Sequence, residues 1–438
     1  MTTITQYFEQ AQLSLAAYAV GLQKGMSNAD YIAALKAAGM SDIQTADFAK
    51  TYTVVDQYTD SGLSGLTDGS GFSATVFQDN GNPPQYFLAI RGTDFTSIAD
   101  LNADVNLATG TLASAQLIAM VNFCLRLQAG DGVLAPQLTD ATTRSSTGAY
   151  GIGPGISLSN LTVTGHSLGG YLGELFEYLF GGGTSQLFTY NAPGFLGDLS
   201  MLNQITNTLD LPAGTFATVQ ANNLVVPDDA AHDVGVVPGL QTQTPIFSET
   251  NVPGALIAAH RIVPMTDSLA VYKLFAQLDP ALNTDPNGMQ TITDILNAES
   301  NIATNSLKSS ITELDKLFGV ANTTLNGGQF DLYQAIDGFS SVIKSFNGPT
   351  AVAPTIQSLV GMDAATLVAN AQTDIAYRYA LVNLNPFVAE GMNYSGFDTT
   401  GALDLNTSAN PTGQFTEQYL NDRKKDWGQV LHYSNPSC

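Results

Sequence analysis

Four histidines, two cysteines and fifteen cationic side chains are few for a chain of 438 residues, and each shortage narrows what it can do. Cys124 and Cys438 make no disulfide framework. Cys124 lies in the apolar run "LIAMVNFCLRL", where a buried free thiol is expected, so the redox compartment stays open. Fifteen Lys and Arg against 38 Asp and Glu give a formal net charge of −23, which argues against a nucleic-acid partner and against electrostatic docking on anionic bilayers. No uncharged apolar run reaches the roughly 18 residues a spanning helix needs, so no transmembrane segment is expected. The N-terminal "MTTITQYFEQAQLSLAAYAVGL" has no basic residues ahead of an apolar stretch and does not read as a Sec signal. Extracellular location by a non-Sec route is the expectation, with a cytoplasmic one the alternative. Internal repeats are missing, as are the glycine-aspartate nonapeptides of a calcium-binding β-roll.

What is present in the first 260 residues is alternation of element types. Residues 7–24 and 28–38 read as helices, the second opening with Ser27 and Asp30 at capping-box spacing. "FSATVFQ" (72–78) and "YFLAIRG" (86–92) read as strands of a hairpin, with turn chemistry in the intervening "DNGNPP". A helix over 113–128 follows, then a Gly-, Ser- and Thr-rich loop to about 159. Strands over 161–165, 186–190 and 215–221 then alternate with helices over 168–180 and 199–208. This order predicts an α/β fold, a mostly parallel sheet with helices on both faces. Beyond Ala270 the texture changes to long amphipathic helical patterns. The expected division is a catalytic core over 1–270 and a mostly helical cap, lid or accessory region over 271–438.

Glycines at 165, 169 and 170 surround Ser167 in "LTVTGHSLGGYLGEL". Gly inside a strand or helix costs roughly 0.5–1 kcal/mol relative to Ala, so this density needs a local reason. Gly165-His166-Ser167-Leu168-Gly169 fits G-x-S-x-G and lies between a predicted strand and a predicted helix, the context of the nucleophile elbow of α/β-hydrolases. The tight turn lifts the Ser167 hydroxyl to the carboxyl edge of the sheet. The N–H of Leu168, opening the next helix, is placed to donate to an oxyanion.

A serine hydroxyl needs a base, and the base is nearly always histidine. Among His166, His232, His260 and His432, the first lies inside the elbow and points away from its neighbour, and the last falls in the helical C-terminal region. Chain order in this fold is nucleophile, acid, histidine. His260 in "AAHRIVPMTDSL" follows the last strand-like piece, "TPIFSE", and is the expected base; His232 is the runner-up. The loop "NNLVVPDDAAHDVG" offers Asp228, Asp229 and Asp233 as the acid, and Asp228 is favoured because it comes first.

These residues carry a resemblance. "YFLAIRGTDF" resembles the oxyanion strand of the class 3 lipases with its Arg-Gly-Thr step, "GHSLGG" resembles their elbow, and "LFTYNAPGF" is similar to their next strand and turn. "AAHRIVPMTDSLAVYKLFAQLDPAL" with "ITDILNAESN" is more like the lipase segment of large secreted bacterial proteins that end in calcium-binding repeats. The likeness spans about residues 70–300. It implies that Thr93 lends its N–H, and often its hydroxyl, to the oxyanion hole. The family's Asn-Asp-x-Val-Pro reads here as "NNLVVP", with Asn223 near the expected acid.

The resulting expectation is a secreted bacterial carboxylic-ester hydrolase of lipase type acting through Ser167, His260 and Asp228 on a lipid or other ester, at a neutral lipid–water interface. Alternatives are a phospholipase A1, a short-chain or polyester esterase, and, in another class, an inactive hydrolase fold that binds as part of a larger secreted protein. The ending "VLHYSNPSC" suits a piece of a longer chain. No cofactor is expected. "NTDPNGMQTITD" (283–294) places oxygen donors at some EF-hand spacings for calcium, but Thr291 and Asp294 read better as a helix-opening capping box.

Overall fold

The computed structural model describes residues 2–60, 70–93, 111–145, 148–158, 161–181, 186–195, 199–214, 221–227, 229, 243–249, 256–300, 305–321, 331–346, 352–416, 418–419 and 422. Its β-branched and apolar runs build one seven-stranded sheet. The strands, in spatial order, are β1 (Tyr52–Thr59), β2 (Ser73–Asp79), β3 (Tyr86–Ile90), β4 (Leu161–His166), β5 (Gln186–Tyr190), β6 (Ala221–Val225) and β7 (Gln243–Pro245). The first three pair antiparallel, and β3 to β7 run parallel. The fold class is therefore α/β, with a mostly parallel sheet and an antiparallel edge.

Side-chain alternation along β4 and β5 decides what covers each face. Leu161, Val163 and Leu187 point into a core with Met120 and Cys124 of helix α4 (Thr111–Gln128) and Leu172 and Phe176 of α5 (Leu168–Phe180). α5 is buried along its whole length, in keeping with a sequence that is apolar apart from Glu174 and Glu177. Gly173 lets it close on the sheet, because a Cβ there would stand 2.8 Å from Leu187 Cδ1 and 3.4 Å from Val163 Cγ1. On the other face Thr164 Oγ1 donates to Gln10 O at 3.0 Å and the Tyr190 hydroxyl to Tyr7 O at 2.6 Å. Both acceptors belong to α1 (Ile4–Ala16), so helices cover both faces.

Three readings of the sequence shift. The first helix ends at Ala16, and the second, α2 (Asn28–Ala37), is followed by α3 (Asp42–Thr51). α3 opens on a capping box in which Ser41 Oγ accepts from Gln44 N and Gln44 Oε1 accepts from Ser41 N. Of the strand expected at 215–221, residues 215–220 lie outside the described residues, and β6, from Ala221, runs on through the polar Asn222 and Asn223. Hydrogen bonds make those amides tolerable in a sheet: Thr189 Oγ1 donates to Asn223 Oδ1, and the Tyr7 hydroxyl to Asn222 Oδ1 at 3.3 Å. Further along, α6 (Ser200–Thr208), α7 (Leu256–His260) and α8 (Ile262–Leu278) complete this part of the chain.

The chain divides into two compact units, one of residues 6–266 with Thr2, the other of Asp267–Cys438 with Met1 and Thr3–Thr5. The division falls inside the continuous helix α8. The second unit is mostly helical, with α9 (Gly288–Ser300), α10 (Ser306–Phe318), α11 (Leu332–Asp337), α12 (Ser340–Ser345), α13 (Ala364–Thr373) and α14 (Ile375–Asn383). It also holds the antiparallel pair β8 (Thr355–Ser358) and β9 (Phe387–Glu390). α9 starts at Gly288, ahead of the capping box read at Thr291 and Asp294, and Thr291 N already donates to Asn287 O at 2.8 Å. The turn before it is set by Asp285, whose carboxylate accepts from Asn287 N at 2.9 Å.

Within α5, Glu174 is fully buried, and neither carboxyl oxygen has a hydrogen-bond partner among the described residues. Burial raises its pKa well above the usual carboxylate range. The folded state thus holds a proton that the unfolded chain, with Glu near pKa 4.3, releases first, so this group costs stability increasingly as pH rises above that value. Glu174→Gln copies the protonated carboxyl. It should raise Tm near about pH 8 by about 2–4 °C per kcal/mol relieved and change it little near about pH 4.5, as differential scanning fluorimetry would read. An equal effect at both pH values refutes this reading.

Candidate active site

The site begins where β4 runs out. Ser167 follows directly, with φ 56° and ψ −130°, a left-handed conformation strained for a residue with a Cβ. Its N–H donates to Tyr190 O of β5 at 2.9 Å, and its carbonyl accepts from Gly170 N at 2.9 Å and Tyr171 N at 3.2 Å in the first turn of α5. The flanking glycines allow this turn. A Cβ on Gly165 would meet Gly169 C and O at 2.4 Å, and one on Gly169 would meet Ile90 O at 2.2 Å. The segment after β3 closes in equally tightly: a Cβ on Gly92 would stand 2.4 Å from His166 O and 3.1 Å from Ser167 Cβ. Thr93, the next residue, is half-buried, and Leu168 is the first residue of α5, whose leading amides have no acceptor within the helix.

His260 ends the short helix α7. Its Nε2 lies 2.8 Å from Ser167 Oγ and its Nδ1 3.0 Å from Asp229 Oδ1. The three residues are 3 %, 2 % and 1 % exposed for His260, Ser167 and Asp229, so the row of hydrogen bonds is shielded from water. Asp229 is reached by a tight turn after β6 in which its N–H donates to Val226 O at 2.9 Å. Asp228 lies outside the described residues, and the carboxylate on His260 belongs to the next residue. Chain order pointed to the loop and its first carboxylate, whereas the turn closed by Asp229 N presents the second. Asp233, His232 and His432 also lie outside the described residues.

Sequence reasoning overlooked three groups here. His166 does point away from Ser167, but its ring packs against that of His260, centroids 4.8 Å apart. Its Nε2 is 2.5 Å from His260 O and its Nδ1 2.7 Å from the Tyr18 hydroxyl. Burial, then the neighbouring His260, pushes its pKa well below the ordinary imidazole value, against the opposing pull of that carbonyl. Asn191, at φ 46° just past β5, is fully buried and bonded to the segments carrying both Asp229 and His260. The one signal for Asn191 was a polar residue tolerant of positive φ directly after an apolar strand.

Chemically, a hydroxyl, an imidazole and a carboxylate in a row can move a proton from the oxygen to the ring while the carboxylate stabilises the resulting imidazolium. Among the described residues no group of three or more His, Cys, Asp or Glu side chains gathers to hold a metal, and in 283–294 the Asp294 carboxylate accepts from Gln290 Nε2 at 2.7 Å. No helix of the described residues is long and apolar enough to cross a membrane.

No family model matches the sequence. No characterised protein matches it either. Among solved structures, the Lip2 lipase from Yarrowia lipolytica aligns with 55 % of this chain and 77 % of its own at 16 % identity, with a TM-score of 0.28. That likeness is too low to bear on fold or chemistry.

The packing at the turn makes a direct prediction. Gly169→Ala puts a methyl into Ile90 O and should lower stability by at least about 2 kcal/mol or prevent folding. Gly396→Ala, where nothing lies within 4 Å of the new Cβ, should unfold with the wild type in a urea titration. Equal midpoints for the two variants would show that the elbow is not packed in this way.

Proposed function

We propose that this protein is a carboxylic-ester hydrolase of lipase type, working through an acyl-enzyme on Ser167. The observation that carries the reading is the unbroken row Ser167 Oγ, His260 Nε2, His260 Nδ1, Asp229 Oδ1, at 2.8 and 3.0 Å, with the serine on a strained strand-to-helix turn. The resemblance of "RGT" and "GHSLGG" to the class 3 lipases supports the same reading.

In this mechanism His260 Nε2 takes the Ser167 proton as Oγ attacks the ester carbonyl. The imidazolium is held in orientation by Asp229. The negative charge on the tetrahedral oxygen is met by the N–H of Leu168 at the start of α5 and the N–H of Thr93 beside Gly92. His260 then gives its proton to the departing alcohol, leaving Ser167 acylated. Water, deprotonated by the same imidazole, attacks the acyl carbon, and the proton returns to Oγ as the acid leaves. No step calls for a metal or cofactor.

Acylglycerols are the proposed substrates. Ser167 and His260 are only 2 % and 3 % exposed, and the proposal is that the site opens at an oil–water interface, where lipid covers the apolar surface so uncovered. A net charge of −23 favours neutral lipid over anionic bilayers. Release outside a bacterial cell belongs to the same proposal.

A fluorophosphonate probe should label Ser167 in the wild type and not in Ser167→Ala. Ser167→Ala and His260→Ala should each lower kcat on short aryl esters by about 10⁴-fold or more, and Asp229→Ala by about 10³-fold or more, while Asp228→Ala stays near wild type. Wild-type protein that is neither labelled nor active on esters from acetate to palmitate overturns the reading and leaves an inactive hydrolase fold. On tributyrin, a rate that climbs steeply past the solubility limit supports a lipase. A hyperbola confined to dissolved short esters instead makes the protein a plain esterase.

A further inference from the structure

We infer that Asn191, His166 and Tyr18 are positioning residues that hold His260 in register with both Ser167 and Asp229, gripping the backbone at His260 from behind. The inference rests on the hydrolase reading above and adds to it the device that keeps its base in line.

The need for such a device follows from the local fold. Helix α7 has five residues, too few to be stable alone, and α8 starts two residues after it ends. Arg261 N folds back on Ala258 O at 3.3 Å, so the carbonyl of His260 falls in the break between the two helices. Two buried side chains aim at that break. His166 Nε2 lies 2.5 Å from His260 O, while Asn191 Nδ2 lies 2.9 Å from Ala259 O and 3.4 Å from His260 O.

Asn191 also holds the acid. Its Oδ1 accepts from Val226 N at 2.8 Å, and its own N–H donates to Leu224 O at 2.9 Å, so it is fastened to the end of β6. Val226 O in turn accepts the N–H of Asp229. One amide side chain therefore bridges the turn that carries the carboxylate and the helix that carries the imidazole. Glycine would adopt φ 46° more easily but could not bridge, and aspartate would keep the acceptor and lose the donor.

His166 does its part only as one tautomer. A carbonyl faces Nε2, so the proton sits there, and the Tyr18 hydroxyl donates to Nδ1. Tyr18 thereby selects the ring form that donates to His260 O. Burial keeps that ring uncharged, so no fixed positive charge opposes the imidazolium forming 4.8 Å away.

The test uses the full-length chain, the rate of Ser167 labelling by the fluorophosphonate, and kcat and KM on a soluble aryl ester. Asn191→Gly, Tyr18→Phe and His166→Leu should each lower kcat and the labelling rate by about 10- to 100-fold with KM little changed, as misplacement of a reacting group does. His166→Gln, which restores an N–H donor near Nε2, should recover most of the rate lost in His166→Leu. If His166→Leu does not fold, Asn191→Gly and Tyr18→Phe carry the test. Soluble Asn191→Gly and Tyr18→Phe with native circular dichroism and wild-type kcat and labelling rates would overturn the inference while leaving the hydrolase reading intact. A wild type that the probe does not label overturns both.

Discussion

Everything at this site depends on one backbone constraint, the left-handed conformation of Ser167 between β4 and α5. A residue with a Cβ does not hold φ 56° unless its surroundings leave it no other choice. Here the surroundings are the carbonyl of Tyr190, which takes the serine N–H, and the first amides of α5, which take its C=O. Backbone atoms of Gly169, Ile90 and His166 crowd the places where the flanking glycines would carry side chains. The turn projects Oγ beyond the sheet, and it brings the segment after β3 to within a Cβ contact of the serine. The same geometry that strains the chain therefore sets Ser167 beside the start of α5 and the segment after β3.

A second layer of constraint keeps the histidine in line. The imidazole of His260 is carried by a short helix, and the carboxylate of Asp229 by a turn on a different strand. Their separation is governed by buried amide and imidazole hydrogen bonds, and buried polar groups that are fully bonded restrict a structure to few arrangements. Asn191 has both its donor and its acceptor engaged, which is why an exposed-type residue sits with no solvent contact at this junction. His166 belongs to the elbow motif and to this layer at once, its ring turned from Ser167 toward His260.

The acidic surface and the shielded centre play different parts. Screening limits the reach of the surface charge to about 8–10 Å at ordinary ionic strength, so a net charge of −23 acts at the surface and bears little on the buried hydrogen bonds inside. In the interior, burial and the neighbouring His260 outweigh the pull of the His260 carbonyl and keep His166 neutral. Glu174, buried on the same helix that follows the nucleophile, is the counterexample, a carboxyl with no partner among the described residues and a raised pKa.

The sequence by itself determined the features whose causes are local. The apolar, β-branched and aromatic runs "FSATVFQ" and "YFLAI" on either side of a turn sequence mark β2 and β3, and the glycine spacing around Ser167 marks the elbow, because both patterns report on backbone geometry within a few residues. Scarcity helped as well: with four histidines in the chain, His260 could be singled out by its position in chain order. What only the tertiary structure decided involves partners distant in sequence. Asp229 meets the imidazole from a turn in which its N–H bonds to Val226 O, and adjacent carboxylates in a loop leave no periodicity in the sequence to separate them. β6 was hard to place because the Oδ1 atoms of its asparagines accept from Thr189 and Tyr7, 34 and 215 residues away. The bridge made by Asn191 spans 35 residues on one side and 68 on the other, and such contacts come into being only when the sheet has set its neighbours side by side.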